Sequence, residues 1–342
     1  MKKPCTISIV GGESLIGREL RDLLAGSHLP AKISLIGVDE DYLKLTEQDG
    51  EPAIITPLDE GSLRDSQVVF LAGSTSSSRK ALKMASKSKP GPVFIDLTGA
   101  AEDEPPARLR APMVEPAGFE APAGQLHVVA HSAAIALALF LTQLAGKFTI
   151  RGSTAHIFEP ASERGLKGLE ELRQQSVSLL SFQPMKKDVF DAQLGFNMLA
   201  KYGSEAPQAL EPIELRIERH LASLLANRGA VPMPSLRLVQ APVFHGYGIS
   251  VRVEFEKRPD RSSLEAALAS PEVDVRGEDV EAPDNVGMAG QSGIAVGAVS
   301  IDRNNPKAAW FWVVADNFRL MAENALAVAQ PLLSATLSGG VE

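Results

Sequence analysis

The chain has 342 residues, more than one ordinary hydrophobic core uses, so two domains are expected. Hydrophobic residues are 44% and charged residues 22%, ordinary values for a globular protein, and the formal net charge of −8 argues against a nucleic-acid-binding surface, which needs a basic field. The one cysteine, Cys5, excludes an intrachain disulfide and fits a reducing compartment.

The opening MKKPCTISIVGG is too short in apolar residues for a cleavable leader. No segment reaches the roughly 20 apolar residues that span a bilayer. A cytoplasmic protein with no membrane partner is expected. CTISIV (5–10) reads as a buried strand, and Gly11, Gly12 and Gly17 punctuate a turn into a helix with apolar residues at Leu15, Ile16, Leu20, Leu23 and Leu24. Further strands are expected at 33–37, 67–72 and 92–97, with a helix over SSSRKALKMASKS between the last two. This alternation predicts a parallel sheet with helices on both faces. The prolines from Pro105 to Pro122 read as a surface crossover, and HVVAHSAAIALALFLTQLAG as a strand and a buried helix.

From Phe148 the pattern changes. FTIRGSTAHIF, SLRLVQAPVF and ISVRVEFE alternate apolar and polar residues, as antiparallel strands with one exposed face do. Two charged amphipathic helices are expected near Lys167–Leu180 and Pro212–Ala226, then strands in AVGAVSIDRN and AAWFWVVAD, and a last helix that returns to the first domain. The fold class is therefore a Rossmann-like α/β domain (1–130 plus 317–342) joined to an α+β domain (131–316).

GGESLIG stands where a dinucleotide-binding turn belongs, between a strand and a helix. The spacing from Gly11 to Gly17 is present, but the position three after Gly11 is Ser14 rather than glycine, and Glu13 would compete with a phosphate for the helix amides. A tight turn that binds nothing fits the motif about as well. Asp39 suits a ribose hydroxyl and repels a 2′-phosphate, which favours NAD over NADP; a solvated acidic loop is the competing reading.

Several segments resemble the aspartate-semialdehyde dehydrogenase family in chain order: GGESLIG, FIDLTGA, STAHIF…GLKGLEELRQQS, DVFDAQLGFNMLAKYG (with Phe196 and Asn197), QAPVFHGYGISVRVEF, VGAVSID and WFWVVADNFRLMAENALAVA. The resemblance implies a Rossmann domain binding NAD or NADP, through Gly11, Gly12, Ser14, Ile16, Gly17, Asp39, Gly73 and Asn317. It also implies a homodimer built on the second domain, and it leaves open a heterodimer with an active paralogue. Carried over position by position, the family's nucleophilic cysteine falls at Ala134 in His131-Ser132-Ala133-Ala134. Its catalytic histidine falls at Tyr247, with His245 two residues earlier. Its substrate-gripping arginine falls at Gln240, its phosphate-binding arginine at Glu102 and its orienting glutamine at His156. Arg216 stands for a lysine, and Glu214 keeps an acidic neighbour. A charge-assisted hydrogen bond is worth about 1.5–3 kcal/mol, so two missing arginines alone would weaken an anionic substrate by orders of magnitude. The resemblance is thus to a degenerate, Usg-like branch without the family's catalysis, with cofactor binding weak or lost. An active NAD(P)-dependent semialdehyde dehydrogenase, and a different enzyme or metal-binding protein reusing the cleft, are the alternatives. His131, His156 and His245 all map near the old site, but their spacing matches no metal motif, and no metal is expected.

Overall fold

In the computed structural model the described residues are 5–27, 31–38, 44–48, 51–85, 91–116, 119, 124, 126–226, 228 and 231–338. They form two compact units, Met1–Ala130 with Met321–Glu342, and His131–Leu320.

The first unit contains β1 (Cys5–Val10), α1 (Leu15–Gly26), β2 (Ala31–Ile36), β3 (Lys44–Gln48), β4 (Glu51–Thr56), β5 (Val68–Leu71), α2 (Thr75–Ala85), β6 (Val93–Asp96), β7 (Arg108–Arg110) and β8 (Leu126–Val129). Its eight-stranded sheet has the order β3-β4-β2-β1-β5-β6-β8-β7. β1 and β5, at its centre, are buried almost throughout, as strands covered on both faces must be. Two features differ from the sequence expectation. β3 and β4 pair antiparallel, Lys44 opposite Ile55 and Gln48 opposite Glu51, so the sheet is mixed. The proline-rich stretch read as a crossover contributes β7, which pairs parallel with β8.

The second unit contains α3 (Ser132–Ala145), β9 (Ile150–Glu159), a 3-10 turn (Ala161–Arg164), α4 (Gly165–Leu180), α5 (Glu211–Leu225), β10 (Ser235–Gln240), β11 (Tyr247–Phe255), α6 (Arg261–Leu268), β12 (Val273–Val275), β13 (Ile294–Ile301) and β14 (Ala308–Ala315); α7 (Asn317–Ser338) begins in it. Its sheet order is β10-β9-β11-β14-β13-β12. The expected antiparallel pairing holds for β9–β11, β11–β14 and β13–β14. It fails at both edges, where β10 runs parallel to β9 and β12 parallel to β13. The chain between β9 and β10 carries α4 and α5, long enough to bring the next strand back in the same direction. α3 is apolar all round and buried along nearly its whole length, with Phe140 edge-on to Phe311 of β14 at 5.0 Å. Among the described residues no helix is long and apolar enough to cross a membrane.

Candidate functional site

The glycine turn of the first unit is built from backbone. Gly11 has φ +84°, and a Cβ there would stand 2.3 Å from the Cα of Gly73, so the loops after β1 and β5 touch main chain to main chain. A Cβ on Gly17 would stand 2.3 Å from the Gly11 carbonyl oxygen. Ser14 is the N-cap of α1: its Oγ accepts from the Gly17 amide (2.9 Å) and donates to the Ala72 carbonyl (2.5 Å). Glu13 is ion-paired with Lys44 (2.5 Å). The close backbone approach fits a dinucleotide's pyrophosphate in shape. The Ser14 hydroxyl, however, already satisfies one of the amides such a group would use.

The second unit holds a buried polar interior. His131 is the N-cap of α3, its Nδ1 accepting from the Ala133 amide (3.3 Å), and its own amide donates to His220 Nδ1 (2.9 Å). Burial, with Arg216, His220 and Arg164 nearby, holds His131 well below the ordinary imidazole value, so it is neutral. Its ring lies 6.0 Å from that of Tyr247. Tyr247 is fully buried, and burial, reinforced by Glu163 and Glu159, pushes its phenol well above the usual range. Glu159, at the end of β9, is wholly buried against the Arg164 guanidinium, which also reaches Gln208 (2.5 Å). Burial lifts Glu159 to about 7 against the downward pull of Arg164. Gln240 spends its side chain internally: its amide donates to the carbonyls of Glu159 (2.7 Å) and Ala241 (3.2 Å), and its oxygen accepts from the Tyr202 hydroxyl (2.5 Å).

Gly246, at φ +79°, separates His245 from Tyr247. The segment is not extended there, and the two rings have different neighbours. His245 Nε2 lies 2.9 Å from Asp316 Oδ2, and its Nδ1 lies 3.3 Å from Ser162 Oγ. Asn317 Oδ1 accepts from the Gly246 amide (3.1 Å), while its Nδ2 donates to Glu163 (2.8 Å) and Ser162 Oγ (3.3 Å). Burial alone would raise Asp316. Hydrogen bonds from His245 and from the Arg319 and Gly290 amides carry it below its ordinary value instead.

The structure brings His131, Gln240 and Tyr247 into this interior together, with Ala134 buried in the first turn of α3. It does not bring His156. On β9 the residues Ala155, Ile157 and Glu159 are buried, whereas His156 stands on the other face beside Phe158, whose ring packs at 5.9 Å from that of Trp312. Strand alternation therefore corrects the match at His156: the β9 side chain that enters the interior is Glu159, three residues on. Among the cofactor-binding expectations, Ile16 is buried, Ser14 caps α1, and Asn317 belongs to the second unit with both ends of its amide engaged there. Asp39 lies outside the described residues. Glu102 lies half-buried in the turn after β6, Phe196 and Asn197 are exposed, and Glu214 accepts from the Leu238 amide (2.5 Å). Among the described residues no group of three or more histidine, cysteine or acidic side chains is arranged to hold a metal. The residues missed from sequence are Glu159, Arg164, Ser162 and Asp316. Alternation along β9 would have found Glu159; the others meet only through tertiary structure.

A Rossmann-like unit opening on a glycine turn, followed by a mixed-sheet unit with a polar interior, defines a two-domain dehydrogenase fold. The family model described as "Semialdehyde dehydrogenase, dimerisation domain" matches residues 148–320, and the chain belongs to that family. It is 27% identical over 341 residues to a USG-1 protein homolog of Pseudomonas aeruginosa, covering 97% of this chain and 99% of the relative. It is 24% identical over 337 residues to an aspartate-semialdehyde dehydrogenase of Prochlorococcus marinus, covering 97% of each chain. A solved P. aeruginosa structure described as a probable aspartate-semialdehyde dehydrogenase superposes with TM-score 0.84 at 26% identity, covering 98% of this chain and 100% of that one.

Proposed function

We propose that this chain is a member of the family that has given up phosphorylating aldehyde oxidation and works by binding, as a cytoplasmic homodimer assembled through its second unit. The carrying observation is Ala134. The resemblance puts the nucleophile there, and a buried methyl group has no atom with which to attack an aldehyde. Cys5, the chain's one thiol, is buried in β1 of the other unit, where burial raises its pKa away from the reactive thiolate. Gln240 supports the same reading: its side chain carries no charge, and its hydrogen bonds are spent on Tyr202, Glu159 and Ala241. Tyr247, where the family's base is expected, is a buried phenol with a raised pKa and accepts no proton near neutrality.

The glycine turn supports residual dinucleotide binding, weakened by the Ser14 cap, with NAD preferred over NADP on the strength of Asp39. Purified protein given aspartate semialdehyde, phosphate and NAD or NADP should produce no NAD(P)H absorbance above a trace; phosphate-dependent turnover would refute the proposal. Calorimetric titration with each nucleotide tests the cofactor, and light scattering at micromolar concentration tests the dimer.

A further inference from the structure

Ser162, His245 and Asp316 lie far apart in the chain and meet in a line. Ser162 sits in the 3-10 turn after β9, His245 precedes the Gly246 turn, and Asp316 stands between β14 and α7. Asp316 is fixed by the amides of Gly290 (2.7 Å), Phe318 (3.0 Å) and Arg319 (3.0 Å), and its Oδ2 faces His245 Nε2 at 2.9 Å. A charged carboxylate there accepts a hydrogen bond from Nε2–H, which keeps the proton on that nitrogen and leaves Nδ1 as an acceptor. Ser162 Oγ is 3.3 Å from that nitrogen. The Asn317 amide is oriented by its bonds to the Gly246 amide (3.1 Å) and Glu163 (2.8 Å); its Nδ2 donates to Ser162 Oγ, and its Oδ1, at 3.5 Å, is a longer acceptor for the hydroxyl than His245 Nδ1 at 3.3 Å. A hydroxyl, an imidazole and a carboxylate in this order make an activated nucleophile on any fold.

We infer that Ser162 is a nucleophile toward small, uncharged carboxylic esters, with His245 as its general base and Asp316 as the residue that positions the ring. The Oγ–carbon bond forms at the ester carbonyl as the hydroxyl proton passes to Nδ1. The bond to the leaving alcohol breaks as that proton is handed to the alcohol oxygen. Water, giving a proton to the same imidazole, then attacks the acyl carbon, and the Oγ–carbon bond breaks as the imidazole returns that proton to Ser162 Oγ, releasing a carboxylic acid and free enzyme. The Asn317 Nδ2–H hydrogen bond that Ser162 Oγ accepts at 3.3 Å is released as Oγ becomes bonded to the acyl carbon, and the donor turns to the oxygen that develops charge. Glu163 and Asp316 flank the position and repel an anionic acyl group. Size is limited as well: Ser162 is only 1% exposed, while the His245 side chain, 32% exposed, gives the open edge. This inference goes beyond the dehydrogenase reading and needs neither thiol nor nucleotide.

The full-length protein is incubated with diisopropyl fluorophosphate and mapped by peptide mass spectrometry, and hydrolysis of p-nitrophenyl acetate is followed by absorbance. A single adduct on Ser162 is expected, absent in Ser162→Ala. His245→Ala should label about 100-fold more slowly and recover with added imidazole, which a structural loss would not do. Asp316→Asn should slow labelling about 10-fold or more, with Asp316→Glu recovering part of the rate at an unchanged melting temperature. No adduct, an adduct elsewhere, or wild-type labelling in His245→Ala overturns the inference, and the adduct site on the unmodified chain decides even where a variant fails to fold.

Discussion

The glycine turn and the polar interior are made of different materials. Around Gly11, Gly17 and Gly73 the geometry is written in main chain, through positions where a single Cβ would collide with backbone. Around His131, Glu159, Arg164 and Gln240 it is written in side chains that bond to one another and to nearby main chain in a buried setting. Main-chain form tolerates wide change in neighbouring side chains, so the turn keeps its shape even with Ser14 and Glu13 in it. A side-chain interior changes its chemistry whenever a residue changes.

The largest test of this contrast is Gly11→Ala. Left-handed strain and overlap with Gly73 should together cost about 4 kcal/mol or more, read as a fall in the urea midpoint; a near-neutral result would mean the turn is not backbone-determined. Next comes Arg164→Met, which strands the Glu159 carboxylate and should cost about 3–4 kcal/mol at pH 8, less at pH 5 where Glu159 can take up a proton. The pH dependence of Glu159→Gln sharpens the same point. With its native pKa raised to about 7 from 4.5, Glu159 contributes stability below about pH 4.5 that is lost as pH rises through 7. The stability difference between the unmodified chain and Glu159→Gln should therefore fall across that window, by on the order of 3 kcal/mol, in denaturation series at successive pH values. The smallest effect belongs to the turn's lip. Glu13→Gln removes a carboxylate from the helix N-terminus and should tighten nucleotide binding by about three-fold in calorimetry, the 0.3–1 kcal/mol of a dipole-level interaction.

Most of the fold was legible from periodicity. β1, α1, β5, α3, β14 and the start of α7 all lie where runs of apolar residues and the glycine punctuation put them. The β3–β4 hairpin was missed although Asp49-Gly50 stands between its strands, a standard two-residue hairpin signal. α6 was missed although Asp260 caps it, accepting from the Ser263 amide at 2.9 Å. Parallel edge strands are harder to foresee, because alternation gives a strand's faces but not its direction. At the site, the segments that carry the resemblance bring His131, Gln240 and Tyr247 into one buried interior. The resemblance misplaced His156 by ignoring which face of β9 looks inward. Ser162, His245 and Asp316 were unreadable as a group: Ser162 and His245 are 83 residues apart, and nothing local in either segment names the other.

The turn at Gly246 has one more consequence. Its positive φ sends two aromatic rings, two positions apart, to separate addresses: a phenol sealed among acids and an imidazole at a partly open edge. A side chain at 246 would be strained and would crowd the Ala315 carbonyl and Asn285 Nδ2, each 3.3 Å away. His-Gly-Tyr thus acts as one triplet: a substitution at its middle position would redirect both neighbours at once.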